Sequence, residues 1–447
     1  MVTKKIQMFI PEQEYREIKS EGWTRPHGVG IIGTYLRQKG YDVEVFSGVS
    51  GTSHREMLGQ VGADVVGCTT TIGNYVQALK IVRQAKKVNP NCLTILGGPE
   101  ATQLYGEVLT NRGTNSRDYC VDVVVCGDGV KTAYELVSGK EWESIPNLAF
   151  LSNRELITTP RLREDKNNWP LIDNTFFDMG RVLSTYGRKF EGLTPFRKAT
   201  SIMSQYGCNS HHCKFCGRTD RQWFGRDTKE VWQEIKELVE IYGAEMLFDF
   251  SDSFVQRPEY AEQFLRDKPT DLNPSFRFFA RADQLNPQIV QLLKKLGTYE
   301  VYIGFESGDQ QMLDNMAKGI TTEQNLYAAK LLGDFEIKIL GSFVLGAPGE
   351  TKKSLENTVT HAEQIQEVSN GRLEQCLCSV WMPLPGSWGF RQIQKEFSGQ
   401  DILDLEELKQ TWVRKMCDVQ YNELSDYVNK VLESSGAPLT DVKGIKN

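Results

Sequence analysis

The sequence predicts an α/β protein: a Rossmann-like doubly wound domain, then a partial (β/α)6 barrel, then a short helical C-terminal region. Three observations carry this expectation. Short β-rich runs alternate with amphipathic stretches over residues 1–140, and the alternation lapses over 141–195 before resuming over 196–390. A dense cysteine loop, GCNSHHCKFCGR at 207–218, follows the first strand of the resumed pattern. The 447 residues leave room for two or three domains with cores of their own.

In the first part the expected strands are KIQMFI, DVEVF, DVVGCTT, LTILGG and VDVVVCG. GVGIIGTYLRQKG and NYVQALKIVRQAKKVNP lie between them, with apolar residues at helical spacing. That alternation predicts a parallel sheet covered on both faces, which binds ligands at the carboxyl ends of its strands. Those ends carry Thr69-Thr70-Thr71, Gly97-Gly98-Pro99-Glu100 and Gly127-Asp128-Gly129. Small and hydroxylic residues let a large ligand approach the backbone, although tight turns alone also want glycine.

Residues 141–195 lose periodicity and gain Asn, Pro and charge, which reads as a linker with room for one hairpin. From 196, KATSIMSQYG is a strand running into the cysteine loop. DTKEVWQEIKELVEIYG follows as a helix, capped by Asp227 with Glu230 completing a capping box, and ended by Gly243. Its apolar face is Val231, Ile235, Leu238, Val239 and Tyr242. Further strands lie near AEMLFDF, FRFFARA, YEVYIGF, IKILGSFVLG and EQCLCSVWMP, with helices in most gaps. Residues 391–447 read as partly amphipathic helix.

The cysteine loop is the chemical centre of the sequence. Cys208, Cys213 and Cys216 can hold three irons of a [4Fe–4S] cube and leave the fourth open for a ligand. A Cys₃His zinc site using His211 or His212 competes, but structural zinc usually draws on two separated ligand pairs. Asp252 and Ser253, Arg281, and Glu306 with Ser307 follow successive strands, where a reactive face would lie. Cys376 and Cys378 share one face of the last strand and read as buried small hydrophobes.

The loop resembles the cluster loop of radical SAM (S-adenosylmethionine) enzymes, with four residues in place of three between Cys208 and Cys213. RPHGVGIIGTYLRQKGYDVEV, ADVVGCTTT, ILGGPEAT and VVVCGDG make the first part resemble a cobalamin-binding domain. GFESGD, LGAPGET and MPLPGS are similar to strand ends of the cobalamin-dependent branch, so the resemblance spans about residues 1–390. It departs at Gly-Asp-Gly-Val (127–130), where the family has Gly-Glu-Gly-Glu, and at His27.

The resemblance implies a cluster on the three cysteines and SAM held by Phe215, Asp252, Ser253, Arg281, Glu306 and Ser307. It implies cobalamin against His27, Thr69, Thr70, Thr71, Asn74, Tyr75, Gly97, Gly98, Pro99, Glu100, Gly127, Asp128 and Gly129. The activity implied is methylation of an unactivated carbon of a small biosynthetic intermediate, through a 5′-deoxyadenosyl radical and methylcobalamin. A flavodoxin or ferredoxin would supply the electron. The alternatives are ring closure, rearrangement or non-standard SAM cleavage without methyl transfer, with or without cobalamin. A corrinoid carrier would need neither the cysteine loop nor the strand-end motifs. His27 also matches the Asp-x-His-x-x-Gly pattern of lower cobalt ligands, but Arg25 replaces the carboxylate that orients such an imidazole, which favours an ordinary loop histidine.

A net charge of −6 gives no general attraction to nucleic acid. No apolar run is long enough to cross a bilayer, and MVTKKIQMFI lacks a signal-peptide pattern. Ten cysteines without a regular framework point to a reducing cytoplasm.

Overall fold

A computed structural model describes residues 4–11, 14–15, 18–19, 24–48, 52–110, 120–192, 194–210, 212–218, 221–397 and 404–437. The chain divides into two compact units between Arg188 and Lys189; the second runs to Lys395 and resumes at Asp404.

The first unit is built on β1 (Lys5–Ile10), β4 (Asp42–Ser47), β5 (Val65–Thr69), β6 (Leu93–Gly97), β7 (Val123–Val125), β8 (Leu148–Ser152) and β9 (Glu155–Thr158). β2 (Glu14–Tyr15) and β3 (Ile18–Lys19) form a separate antiparallel pair. The sheet order is β4-β1-β5-β6-β7-β8-β9, and the first five strands are parallel. β1 is apolar and buried along most of its length, as a central parallel strand should be. The helices are α1 (His27–Gln38), α2 (His54–Gln60), α3 (Tyr75–Val88), α4 (Pro99–Gln103), α5 (Tyr105–Thr110), α6 (Val130–Val137) and, at the boundary, α7 (Met179–Lys189).

Two features differ from the expected all-parallel sheet and free linker. The hairpin β8–β9 adds to the sheet antiparallel through Val123–Phe150 and Val124–Ala149. Residues beyond it lie against α1, where Gly30 faces Ile172 and Phe177 and Gly33 faces Phe176. The buried Arg25 guanidinium donates to Asn174 at 2.9 Å, and Arg37 sits 3.7 Å over the Phe176 ring. The segment reads as a linker because its periodicity is poor, yet it closes one face of the first core.

The second unit holds β10 (Ala199–Ile202), β11 (Gln205–Tyr206), β12 (Phe224–Gly225), β13 (Met246–Asp249), β14 (Ser275–Ala280), β15 (Thr298–Glu306), β16 (Lys338–Leu345) and β17 (Leu373–Val380). Six of these form one parallel sheet, β10-β13-β14-β15-β16-β17, whose end strands do not pair with each other. Its helices are α8 (Thr228–Glu240), α9 (Pro258–Arg266), α10 (Pro287–Leu296), α11 (Gln310–Asn315), α12 (Thr322–Asp334), α13 (Lys352–Val368), α14 (Trp388–Ile393), α15 (Leu405–Met416) and α16 (Tyr421–Ser434). Asp227 caps α8 by accepting from the Lys229 and Glu230 amides; the Glu230 carboxylate does not return the bond. The outer face of the sheet is dry: Phe276 packs against rings from α8 and α9, Phe264 at 6.2 Å and Trp232 at 5.8 Å, and Phe278 stacks on Phe254 at 3.9 Å. Among the described residues no helix is long and apolar enough to cross a membrane.

Candidate active site

β11 and β12 pair antiparallel through Gln205–Gly225 and Tyr206–Phe224, so residues 207–223 form a loop tied shut at its base. Gly207 starts it at φ +78, with its α-carbon so close to the Gln222 carbonyl that no side chain fits. Below the tie, the fully buried Asp249 carboxylate accepts from the Ser204 and Ser251 amides and from both hydroxyls. Burial pushes that carboxyl up, and these donors oppose the shift. The Gln256 carboxamide grips both sides of Cys208, donating to the Gly207 carbonyl (2.9 Å) and accepting from the Asn209 amide (3.1 Å).

Cys208, Cys213 and Cys216 are all half-buried. A tight turn joins the last two, the Cys216 amide donating to the Cys213 carbonyl at 3.2 Å. Burial raises the Cys208 and Cys216 thiols, while amides of Ser210 and Arg218 pull them down. Such donors suit sulfur that must carry negative charge. Among the described residues no three His, Cys, Asp or Glu side chains converge on a single ion. His211 lies outside the described residues.

The strand ends close around this loop. Arg218 pairs with Asp252 after β13. The Lys214 amide donates to the Met316 carbonyl, and the Lys318 ammonium lies 5.7 Å from the Phe215 ring. Lys318 also donates to Glu306 at 2.6 Å, and its carbonyl accepts from Arg281 at 2.9 Å. Arg281 further holds Asp283 in a fork of 3.0 and 3.1 Å. Glu306 sits at φ +62 beside a register shift between β15 and β16, a backbone geometry that costs about 1 kcal/mol or more. Carboxylates and guanidinium groups thus share one end of the sheet with the thiols, a pattern matched to a zwitterionic amino-acid ligand.

Not every expected contact faces that end. Ser307 is fully buried, its hydroxyl 3.0 Å from that of Thr358 on α13 and accepting from the Asp309 amide. Ser253 is also fully buried and donates to Gln284. Both serines brace their loops. Phe215 packs edge-on against Trp381, which stacks on Trp412 at 4.8 Å. Cys376 and Cys378 are buried, and burial raises both thiols. Gln256 and Lys318 carry no motif that sequence reading would notice.

In the first unit the order β4-β1-β5 makes β1/β5 a switch point, where sheets of this kind leave a crevice. Gly98, at φ +92, has Thr70 backbone atoms 2.5 and 2.8 Å from where a Cβ would sit, so only glycine fits. Gly28 and Gly127 have open space where a Cβ would sit. Glu100 is buried, which raises its carboxyl to about 7. Several expected cobalamin contacts also have partners within the fold. Thr70 donates to the Gly97 carbonyl and accepts from the Ala101 amide, both at 2.8 Å. Asn74 accepts from the Thr71 amide and donates to the Pro11 carbonyl. Asp128 pairs with the buried Lys166 at 2.8 Å, and Tyr75 is buried. His27 opens α1, half-buried; Arg25 faces Asn174 and supplies no orienting carboxylate. Thr69, Thr71, Gly97 and Pro99 remain at the strand ends, and Gly129 lies against Val125 and Ile32.

Residues 202–362 match the Radical SAM superfamily, and residues 18–137 match the B12 binding domain. The chain belongs to the radical SAM enzymes that carry a B12-binding domain. Among relatives of this radical SAM enzyme, an uncharacterized methyltransferase of Pyrococcus horikoshii is 26% identical over 402 residues, covering 87% of this chain and 82% of its own. An anaerobic magnesium-protoporphyrin IX monomethyl ester cyclase of Rubrivivax gelatinosus is 26% identical over 353 residues, covering 74% and 61%. The radical S-adenosylmethionine methyltransferase TsrM from Kitasatospora setae superposes with a TM-score of 0.67 at 16% identity, over 88% of this chain and 75% of that one. OxsB, a cobalamin-dependent S-adenosylmethionine radical enzyme, gives 0.67 at 15%, over 100% and 63%. At such identity these two structures speak for the fold. The domains fix the cofactors as a [4Fe–4S] cluster, SAM and cobalamin.

Proposed function

We propose that this enzyme is a methyltransferase acting on carbon of a small biosynthetic intermediate. The observation that carries the reading is the tied cysteine loop, with thiols, Asp252, Arg281 and the Glu306–Lys318 pair at one end of a sheet, in a chain that also has a B12-binding domain. When bound, the reduced cluster and SAM supply one-electron chemistry, and cobalamin supplies a transferable methyl group. Cys208, Cys213 and Cys216 would hold the cluster, positioned by Gln256 and the β11–β12 tie. Asp252 and Arg281 would orient the charged ends of SAM's amino-acid part, and Glu306, fixed by Lys318, its ribose hydroxyls. Glu100 and the glycine turns at Gly98 and Gly127 would meet cobalamin. The electron would come from a flavodoxin or ferredoxin, and the thiol content suits a reducing cytoplasm. A methyltransferase among the relatives supports the reading; the cyclase relative favours ring closure as the second one.

Anaerobic reconstitution with iron, sulfide and hydroxocobalamin tests this. The expected result is about four irons per chain, with SAM cleavage that is lost in Cys213→Ala. In the presence of substrate, S-adenosylhomocysteine and a methylated product are expected. 5′-Deoxyadenosine without S-adenosylhomocysteine would favour the cyclase reading. Zinc in place of iron, with no cleavage, would sink both.

A further inference from the structure

The inner face of the six-stranded sheet sorts by height. At the floor, Arg277, Glu300 and Lys338 lie abreast in the strand register. Arg277 pairs with Glu300, Lys338 pairs with Glu374, and the Arg277 guanidinium lies 4.3 Å from the Phe248 ring centre. These charges neutralise one another. Two residues up, Phe279, Tyr302 and Leu340 are abreast, and Phe250 joins Phe279. Ring centres are 6.0 Å apart for Phe250–Phe279 and 4.6 Å for Phe279–Tyr302. In the next layer Gly304, Ser342 and Leu377 are abreast, and Tyr302 lies one step below Ser342 on the same face.

Burial separates this wall from the rest of the sheet. On the outer face Val301, Ile303, Ile339 and Leu345 are 0% exposed, and at the floor Glu300 is as well. Phe250, Phe279, Tyr302 and Ser342 are only half-buried, and Leu377 is 37% exposed. Barrels normally fill this space with their own side chains. Here the place of a side chain at Gly304 is taken by the Glu306 carboxylate and the Lys318 ammonium, and below them the half-buried aromatic row stops short of filling the space. The ionised groups above the wall, Glu306 and Lys318, are committed to each other. A charged ligand group on the wall would lose hydration and gain no counter-charge.

We propose that this wall seats the substrate, and that the part seated is an uncharged, planar conjugated ring. The ring packs on Phe279 and Tyr302 in the offset or edge-on geometry such rings prefer, against Leu377. The Tyr302 and Ser342 hydroxyls offer a hydrogen-bonding handle for a hydroxyl or carbonyl. The inference rests on the reading that the cysteine-loop end is the reactive end.

Equilibrium dialysis of the reconstituted full chain under anaerobic conditions tests it, with 2-naphthol, 2-naphthoate and cyclohexanol as probes. Saturable 2-naphthol binding is expected, at least tenfold tighter than either other probe. Leu377→Glu should weaken it at least tenfold and Phe279→Leu about threefold, with iron content unchanged in both. If Leu377→Glu loses iron, Leu377→Ala is read in its place, with about threefold weaker binding expected. Equal or better binding of 2-naphthoate overturns the proposal. So does 2-naphthol binding indifferent to Leu377, or a Leu377 change that weakens SAM binding alone. Failure of the underlying reading shows elsewhere, as absent iron and SAM cleavage in the parent protein while naphthol still binds.

Discussion

At the residue scale, Gln256 does for Cys208 what no motif announces: it fixes the backbone on both sides of the thiol. The bonds span 49 and 47 residues, and nothing in FVQRP marks a glutamine that reaches back so far. Gln256→Ala removes both, worth about 1 kcal/mol each, and frees the loop where the sequence has its extra residue. We expect the reconstituted variant to lose iron to a chelator several-fold faster and to show an altered EPR signal from the reduced cluster. Gln256→Glu still accepts from Asn209 but no longer donates to Gly207, and should fall between. Unchanged iron release in Gln256→Ala would remove its positioning role. The cysteine loop stood out in the sequence because ligand chemistry restricts residue type and spacing. Ser307, Ser253, Thr70, Asn74 and Asp128 were harder to read, because a hydroxyl, amide or carboxylate at a strand end suits a ligand and a loop equally, and each has a partner within the fold.

Elements were easier to read than their pairings. Capping residues and apolar periodicity located α8 and the barrel strands, whereas the β8–β9 hairpin's addition to the first sheet depends on partners far away in sequence. Interlocks between elements were invisible altogether. The loop after β15 meets α13 so closely that Gly308 touches His361, Asn357 and Thr358. His361 is buried there, its Nε2 without a hydrogen-bond partner among the described residues. Burial lowers it to about 4 from an ordinary 6.5, while Gln364 and Glu323 oppose the shift. A base with a lowered folded value is stabilising to keep neutral: the benefit is full above pH 6.5 and is lost as pH falls toward 4. The loss approaches about 3 kcal/mol at the lower end. Urea denaturation from pH 7 to 4 should show this acid slope, and His361→Asn should flatten it. An unchanged slope would mean the imidazole is solvated or paired.

At the scale of the whole molecule, each of the two compact units carries its own sheet and its own set of proposed cofactor residues. Loading should therefore be separable. Cys213→Ala is expected to lose iron yet retain cobalamin. Gly98→Val, which forces a side chain onto Thr70, should lose cobalamin yet retain iron. Metal analysis of one sample for iron and cobalt reads both, and joint loss in either variant would contradict separable loading. The two-part layout was visible in the sequence as two runs of alternating strand and helix. The segment between them was not, because its contacts with α1 come from scattered residues such as Ile172, Asn174 and Phe176.

The tie between β11 and β12 makes the cysteine loop a cassette. With residues 205–206 clipped to 224–225, a length change inside the loop leaves the strands that carry it where they are. One further residue in a closed loop of this size adds only about 0.1 kcal/mol of closure entropy. The additional residue between Cys208 and Cys213 is thus nearly free for the barrel, and spacer length can drift, or be engineered, without rebuilding the scaffold beneath it.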